Sequence, residues 1–134
     1  MIREMVLYYA PQPMPYVSKL KGVLVRMRVR IKNISPDQTG QKVGYLAGMP
    51  GFEAESETGE ILPIKEEMLV MKNFTSRRVD DLLANLRNAG VPRIALKAVI
   101  TEQNSQWTFY ELYGELRKEH AAMTENHTKQ KDEA

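Results

Sequence analysis

The run Met5-Val6-Leu7-Tyr8-Tyr9-Ala10 is apolar without a break and is stopped by Pro11, Pro13 and Pro15, which predicts a strand covered on both faces. The period then lengthens. Val17, Leu20, Leu24 and Met27 mark one stripe of a helix, with Pro15 or Tyr16 near its first turn. Val29 and Ile31 alternate with Arg28, Arg30 and Lys32 as far as Ile34. A period of two with one charged face predicts a half-exposed strand at a sheet edge, where cations discourage pairing with another chain. Residues 41–47 predict a short helix burying Val43, Leu46 and Ala47 and closing at Gly48 and Pro50.

Met68-Leu69-Val70-Met71 resumes the buried-strand pattern. Thr75 or Ser76 then caps a helix with the stripe Val79, Leu82, Leu83 and Leu86, ended by Asn88-Ala89-Gly90 before Pro92. Residues 94–100 form another strand, apolar except for Lys97, so this strand-helix-strand unit predicts two parallel strands. Thr108-Phe109-Tyr110-Glu111 is a capping box, and Phe109, Leu112, Tyr113 and Leu116 supply the stripe of the last helix.

The order β-α-β-α-β-α-β-α, with the charged strand at an edge, predicts an α/β fold. It is a three-layer α/β/α arrangement whose four-stranded, mainly parallel sheet has the order 2-1-3-4. One domain spans residues 1–123, and the tail 124–134, without an apolar stripe, is expected to be disordered. In such a sheet, ligands bind beyond the carboxyl ends of the strands where the winding reverses, between strands 1 and 3.

Composition closes several routes. The 134 residues include no cysteine, which excludes disulfides, a thiol nucleophile, an iron–sulfur cluster and every zinc site that uses sulfur. Only His120 and His127 are available as imidazoles, and neither is placed near a strand end. The longest apolar run is too short for a secretory signal or a membrane span, so the expected location is cytoplasmic, with no membrane partner. The net charge of +2 conceals a division. Residues 1–50 carry eight bases and two acids, a balance of +6, and residues 51–134 carry 11 bases and 15 acids, a balance of −4. Six acids, Glu53, Glu55, Glu57, Glu60, Glu66 and Glu67, fall within residues 51–67 with only Lys65 among them. This segment reads as a long loop or a small hairpin turning at Thr58-Gly59, and it is expected to cover the cationic edge strand.

The loops after the four strands gather Asp37, Asn73, Thr75, Thr101, Asn104 and Trp107, the expected ligand-binding residues. They are neutral hydrogen-bonders with one carboxylate and one aromatic wall, suited to a small polar or anionic ligand. Helix capping and core packing account for the same residues, and on loop chemistry alone they are the stronger account. The turn after the first strand, Ala-Pro-Gln-Pro-Met-Pro, lacks the amides a dinucleotide phosphate requires, and no cofactor is expected. Lys97 reads either as a buried cation awaiting a carboxylate or as a lysine on a partly open strand face.

The strings Lys72-Asn73-Phe74, Leu96-Lys97-Ala98-Val99-Ile100-Thr101-Glu102-Gln103-Asn104 and Trp107-Thr108 resemble a small bacterial domain family of unassigned function. Ile34-Ser35-Pro36-Asp37-Gln38 and Val43-Gly44-Tyr45-Leu46-Ala47-Gly48 extend the resemblance. It implies no activity and points to the loops carrying Asp37, Asn73, Thr101, Asn104 and Trp107. The leading expectation is a non-catalytic module that binds a small ligand or a protein partner, a second copy of the chain included. An enzyme using Asp37 and a weak nucleic-acid binder acting through Arg28, Arg30 and Lys32 are the alternatives. The absence of aromatics among those cations disfavours nucleic acid.

Overall fold

The computed structural model describes residues 3–55 and 63–133. The strands are β1 (Met5–Tyr9), β2 (Arg30–Asn33), β3 (Met68–Lys72) and β4 (Leu96–Val99). The helices are α1 (Val17–Arg26), α2 (Val43–Leu46), α3 (Ser76–Asn88) and α4 (Phe109–Glu133), with short 3₁₀ turns at Pro36–Gln38 and Asn104–Gln106. The sheet order is β2-β1-β3-β4, as the hydrophobic pattern predicts. No helix is long and apolar enough to cross a membrane among the described residues.

Alternation along the strands divides the core in two. Leu7 and Tyr9 of β1, with Met68 and Val70 of β3, pack against Val43 and Leu46 of α2 and against Phe109, Leu112 and Leu116 of α4. Val6 and Tyr8, with Leu69 and Met71, pack on the other face against Leu20, Val23 and Leu24 of α1 and Leu82 and Leu86 of α3. Each central strand therefore has an apolar layer on both sides, which is why β1 and β3 read as unbroken hydrophobic runs.

Capping follows the sequence closely. The Thr75 hydroxyl accepts from the Arg78 amide at 3.2 Å at the start of α3. Thr108 and Glu111 exchange bonds of 3.0 and 3.1 Å at the start of α4. α4 runs from Phe109 to Glu133.

Strand direction differs from a uniformly parallel sheet at one place. β1 pairs in parallel with β2 and β3 with β4, but β1 and β3 are antiparallel, with Met5 opposite Lys72 and Tyr9 opposite Met68. The long connector between β2 and β3 is responsible. It leaves the end of β2, passes through α2, and makes a further traverse before β3 begins. Along the way Gln41 exchanges hydrogen bonds of 2.8 and 3.2 Å with the Glu55 backbone, and the Ile64 carbonyl accepts from the Tyr9 hydroxyl at 2.7 Å. The extra traverse turns β3 around. Phe52 anchors the connector by stacking on Gly44, where a β-carbon would fall 2.5 Å from its ring.

The described acids of this connector do not pair with the cationic edge. Glu55 meets Lys42 at 3.7 Å and Glu66 meets Arg117 at 3.3 Å, while Glu67 accepts from the Tyr8 and Tyr16 hydroxyls. The Thr58-Gly59 turn, Glu57 and Glu60 lie outside the described residues.

Candidate ligand cavity beside β4

Antiparallel pairing of β1 and β3 separates the loops that a parallel sheet would gather. The carboxyl ends of β1 and β2 lie at one end of the sheet, and those of β3 and β4 at the other. Asp37 follows the end of β2, and the continuation of its loop bonds to the segment beyond Asn104, the Tyr110 amide donating to the Thr39 carbonyl at 3.0 Å and the Val43 amide to the Trp107 carbonyl at 2.8 Å. The Asp37 carboxylate accepts from the Ser35 hydroxyl in an exposed turn.

The residues at the shared end are engaged locally. Asn73 adopts a positive φ of 64° and its amide donates to the Arg3 carbonyl at 2.8 Å. Thr75 caps α3. Asn104 accepts through Oδ1 from the Thr101 amide at 2.8 Å, donates from Nδ2 to the Val99 carbonyl at 3.1 Å, and donates its backbone amide to the Thr101 hydroxyl at 3.0 Å. Trp107 is half-buried against the α2/α4 core layer, and its carbonyl accepts from the Val43 amide at 2.8 Å. Lys32, of the cationic strip, is turned inward: its ammonium donates to the Leu46 carbonyl at 3.0 Å, beside the bond of 2.9 Å from Lys72 to the Ala47 carbonyl. These two cations satisfy the carbonyl end of α2.

A cavity of 380 Å³ lies elsewhere, on the α1/α3 face beside the edge strand β4. Its construction follows from how α3 ends. Ala89 closes the helix, Gly90 takes φ of 86°, and the Gly90 and Val91 amides bond back to the Arg87 and Leu86 carbonyls at 3.0 and 2.9 Å. This pairing is the Schellman motif, and it brings Val91 onto Leu86. Pro92, Arg93 and Ile94 then turn the chain back into β4. The hollow they leave is walled by Leu69, Leu83, Leu86, Val91, Pro92 and Ile94 and carries Arg87, Arg93 and Lys97, with no acidic residue in its lining.

Lys97 is half-buried and its ammonium donates to the Ile94 carbonyl. Burial pushes its pKa down from the ordinary lysine value, and the nearby Arg93 charge pushes in the same direction. Another cation approaches the helix end, since a β-carbon on Gly90 would lie 3.6 Å from the Lys19 ammonium. None of Asp37, Asn73, Thr75, Thr101, Asn104 and Trp107 lines this cavity. Of its polar residues, Lys97 stands out in the sequence as the one charge in an apolar strand. Arg87 and Arg93 are inconspicuous there, because only the folded turn sets them beside Lys97.

A second hollow, lined by Lys42, residues 50–55 and Gln106, is polar and borders the acidic connector. Among the described residues no group of three or more His, Cys, Asp or Glu side chains is placed to hold a metal ion.

Residues 67–123, less than half of the chain, match the model of a family described as Domain of unknown function (DUF3783). The matched stretch contains β3, α3, β4 and α4 as far as residue 123, and so contains the whole lining of the cavity. No curated protein and no solved structure matches the chain.

Proposed function

We propose that this domain is a non-catalytic binding module whose small-molecule ligand sits in the cavity between the C-terminal half of α3 and β4. The observation that carries the reading is the cavity itself: 380 Å³, apolar on most of its wall, with three polar groups at defined positions. Small-molecule sites are typically concave and largely apolar, roughly 300–1,000 Å³ in volume, with a few convergent polar groups that fix orientation. The hollow is built on the backbone hydrogen bonds of a helix terminus and a strand, which favours a preformed site.

The strand-end loops offer a second seat, favoured by the grouping of Asn73, Thr75, Thr101 and Asn104 at one end of the sheet. Their polar atoms largely serve the loops that carry them. An amide-resolved NMR screen with small apolar fragments tests both seats. Perturbations centred on Leu83, Val91 and Lys97 are expected. Perturbations confined to residues 73–75 and 101–107 would move the ligand to the strand ends, and a complete absence of perturbation would overturn the binding reading.

A further inference from the structure

We infer that the cavity takes an amphipathic carboxylate, its hydrocarbon body against Leu69, Leu83, Leu86, Val91 and Ile94 and its head group on Lys97, beside Arg93 in the same lining. The inference rests on the cavity being the ligand seat and adds the chemical class.

The argument starts from a cost. A charge withdrawn from water is unfavourable unless it is paired. Lys97 is half-buried, its ammonium donates to the neutral Ile94 carbonyl, and the charged group acting on it is another cation, Arg93. A lysine ammonium has three N–H donors, and the bond to Ile94 uses one. An aliphatic side chain at this position would complete the apolar wall without that cost. A lysine here is explained if an anion completes the site.

Arg87 has a sufficient alternative explanation, because it sits in the last turn of α3, where a cation complements the helix dipole. Lys97 and Arg93 have none of that kind. Lys97 is on a strand, and its partner belongs to the connecting turn rather than to the helix end. The surrounding wall restricts the anion. Six apolar residues line the hollow, so a fully hydrated ion such as inorganic phosphate would leave them unmatched, and a neutral hydrocarbon would leave the cations unmatched. An acid with an apolar body matches both.

The test compares octanoate with octan-1-ol, which share a tail and differ in the head, by calorimetry and by amide NMR on the intact chain. Octanoate is expected to bind with perturbations at Leu83, Val91 and Lys97, and to bind roughly tenfold to a hundredfold more tightly than the alcohol, the range for a charge-assisted hydrogen bond. Lys97→Met is expected to abolish that preference while raising the melting temperature of the ligand-free protein, since it removes an uncompensated charge. Lys97→Arg should keep the preference for the acid. Equal binding of acid and alcohol, or a preference that survives Lys97→Met, would overturn the assignment of ligand class and leave the cavity as the seat. Failure of both ligands to perturb the cavity residues would overturn the seat itself.

Discussion

The Arg78 guanidinium holds the Glu4 carboxylate in a fork, with 2.8 Å from Nε to Oε2 and 2.6 Å from Nη2 to Oε1. The same Nη2 donates to the Met27 carbonyl at 2.9 Å, so one side chain ties the start of β1, the first turns of α3 and the end of α1 together. Planar, two-point recognition of this kind requires arginine. Arg78→Met is expected to lower the unfolding free energy by about 1–3 kcal/mol, because it leaves a mostly buried carboxylate without its partner. Arg78→Lys should recover only part of that. Urea titration checks both, and a Met variant within about 0.5 kcal/mol of the parent would show that the fork contributes little.

α1 and α3 end alike but with different residues at the left-handed position. Arg28 has φ of 60° where Gly90 has φ of 86°, and the Val29 amide reaches the Leu24 carbonyl as the Val91 amide reaches that of Leu86. A side chain in this conformation costs about 1–2 kcal/mol. Arg28→Gly should therefore stabilise the protein by up to about 1 kcal/mol once the added freedom of the unfolded chain is counted, and Gly90→Ala should destabilise it by a similar amount. Thermal melts of the two variants should move in opposite directions.

Two opposing ionisations set the alkaline response. The Tyr8 and Tyr16 hydroxyls both donate to Glu67, and burial, followed by that hydrogen bond and the carboxylate charge, raises both phenols above the ordinary tyrosine range. A raised pKa means that the folded state holds its protons more tightly. The corresponding stability is complete below about pH 10 and is lost as pH climbs above it. For Lys97 the sign is reversed. Its folded pKa is lowered, so stability increases with pH between that depressed value and the ordinary lysine value near 10.4. Denaturant titrations across the alkaline range should show a shallower loss above about pH 10 in the Tyr8→Phe/Tyr16→Phe double variant. They should also lose the preceding rise in Lys97→Met. Unchanged profiles in both would contradict these assignments.

Asn104 is buried and organises the turn between β4 and α4 through Thr101 and Val99. Asn104→Ala is expected to cost about 1–3 kcal/mol through the amide and carbonyl it leaves unpaired. Octanoate affinity in the folded variant should be unchanged. A large affinity loss with little change in stability would instead place the ligand at the strand end.

Much of the architecture was legible because it is local. The Thr75 cap, the Thr108 and Glu111 box, the Gly90 stop and the alternation that makes β2 an edge strand all depend on residues within one or two turns of each other. The pairing order 2-1-3-4 followed from these together with the two unbroken apolar strands. The direction of β3 against β1 was not legible in the same way. It depends on whether residues 34–67 cross the molecule once more, and hydrophobic period carries no information about the number of crossings. That one reversal puts the end of β2, from which Asp37 follows, at the opposite end of the sheet from the ends of β3 and β4.

Sequence by itself determined the order of helices and strands, which strands lie in the middle, and that Lys97 is an exception within an apolar strand. Only the tertiary structure decided that Thr101 and Asn104 bond to one another, that the connector's acids reach Tyr8, Tyr16, Lys42 and Arg117, and that Arg93 and Lys97 share one apolar hollow. The physical reason is range. Caps and periodicity are set by hydrogen bonds and burial a few residues apart, whereas a cavity is the space left where three separate segments, α3, its turn and β4, pack without filling it.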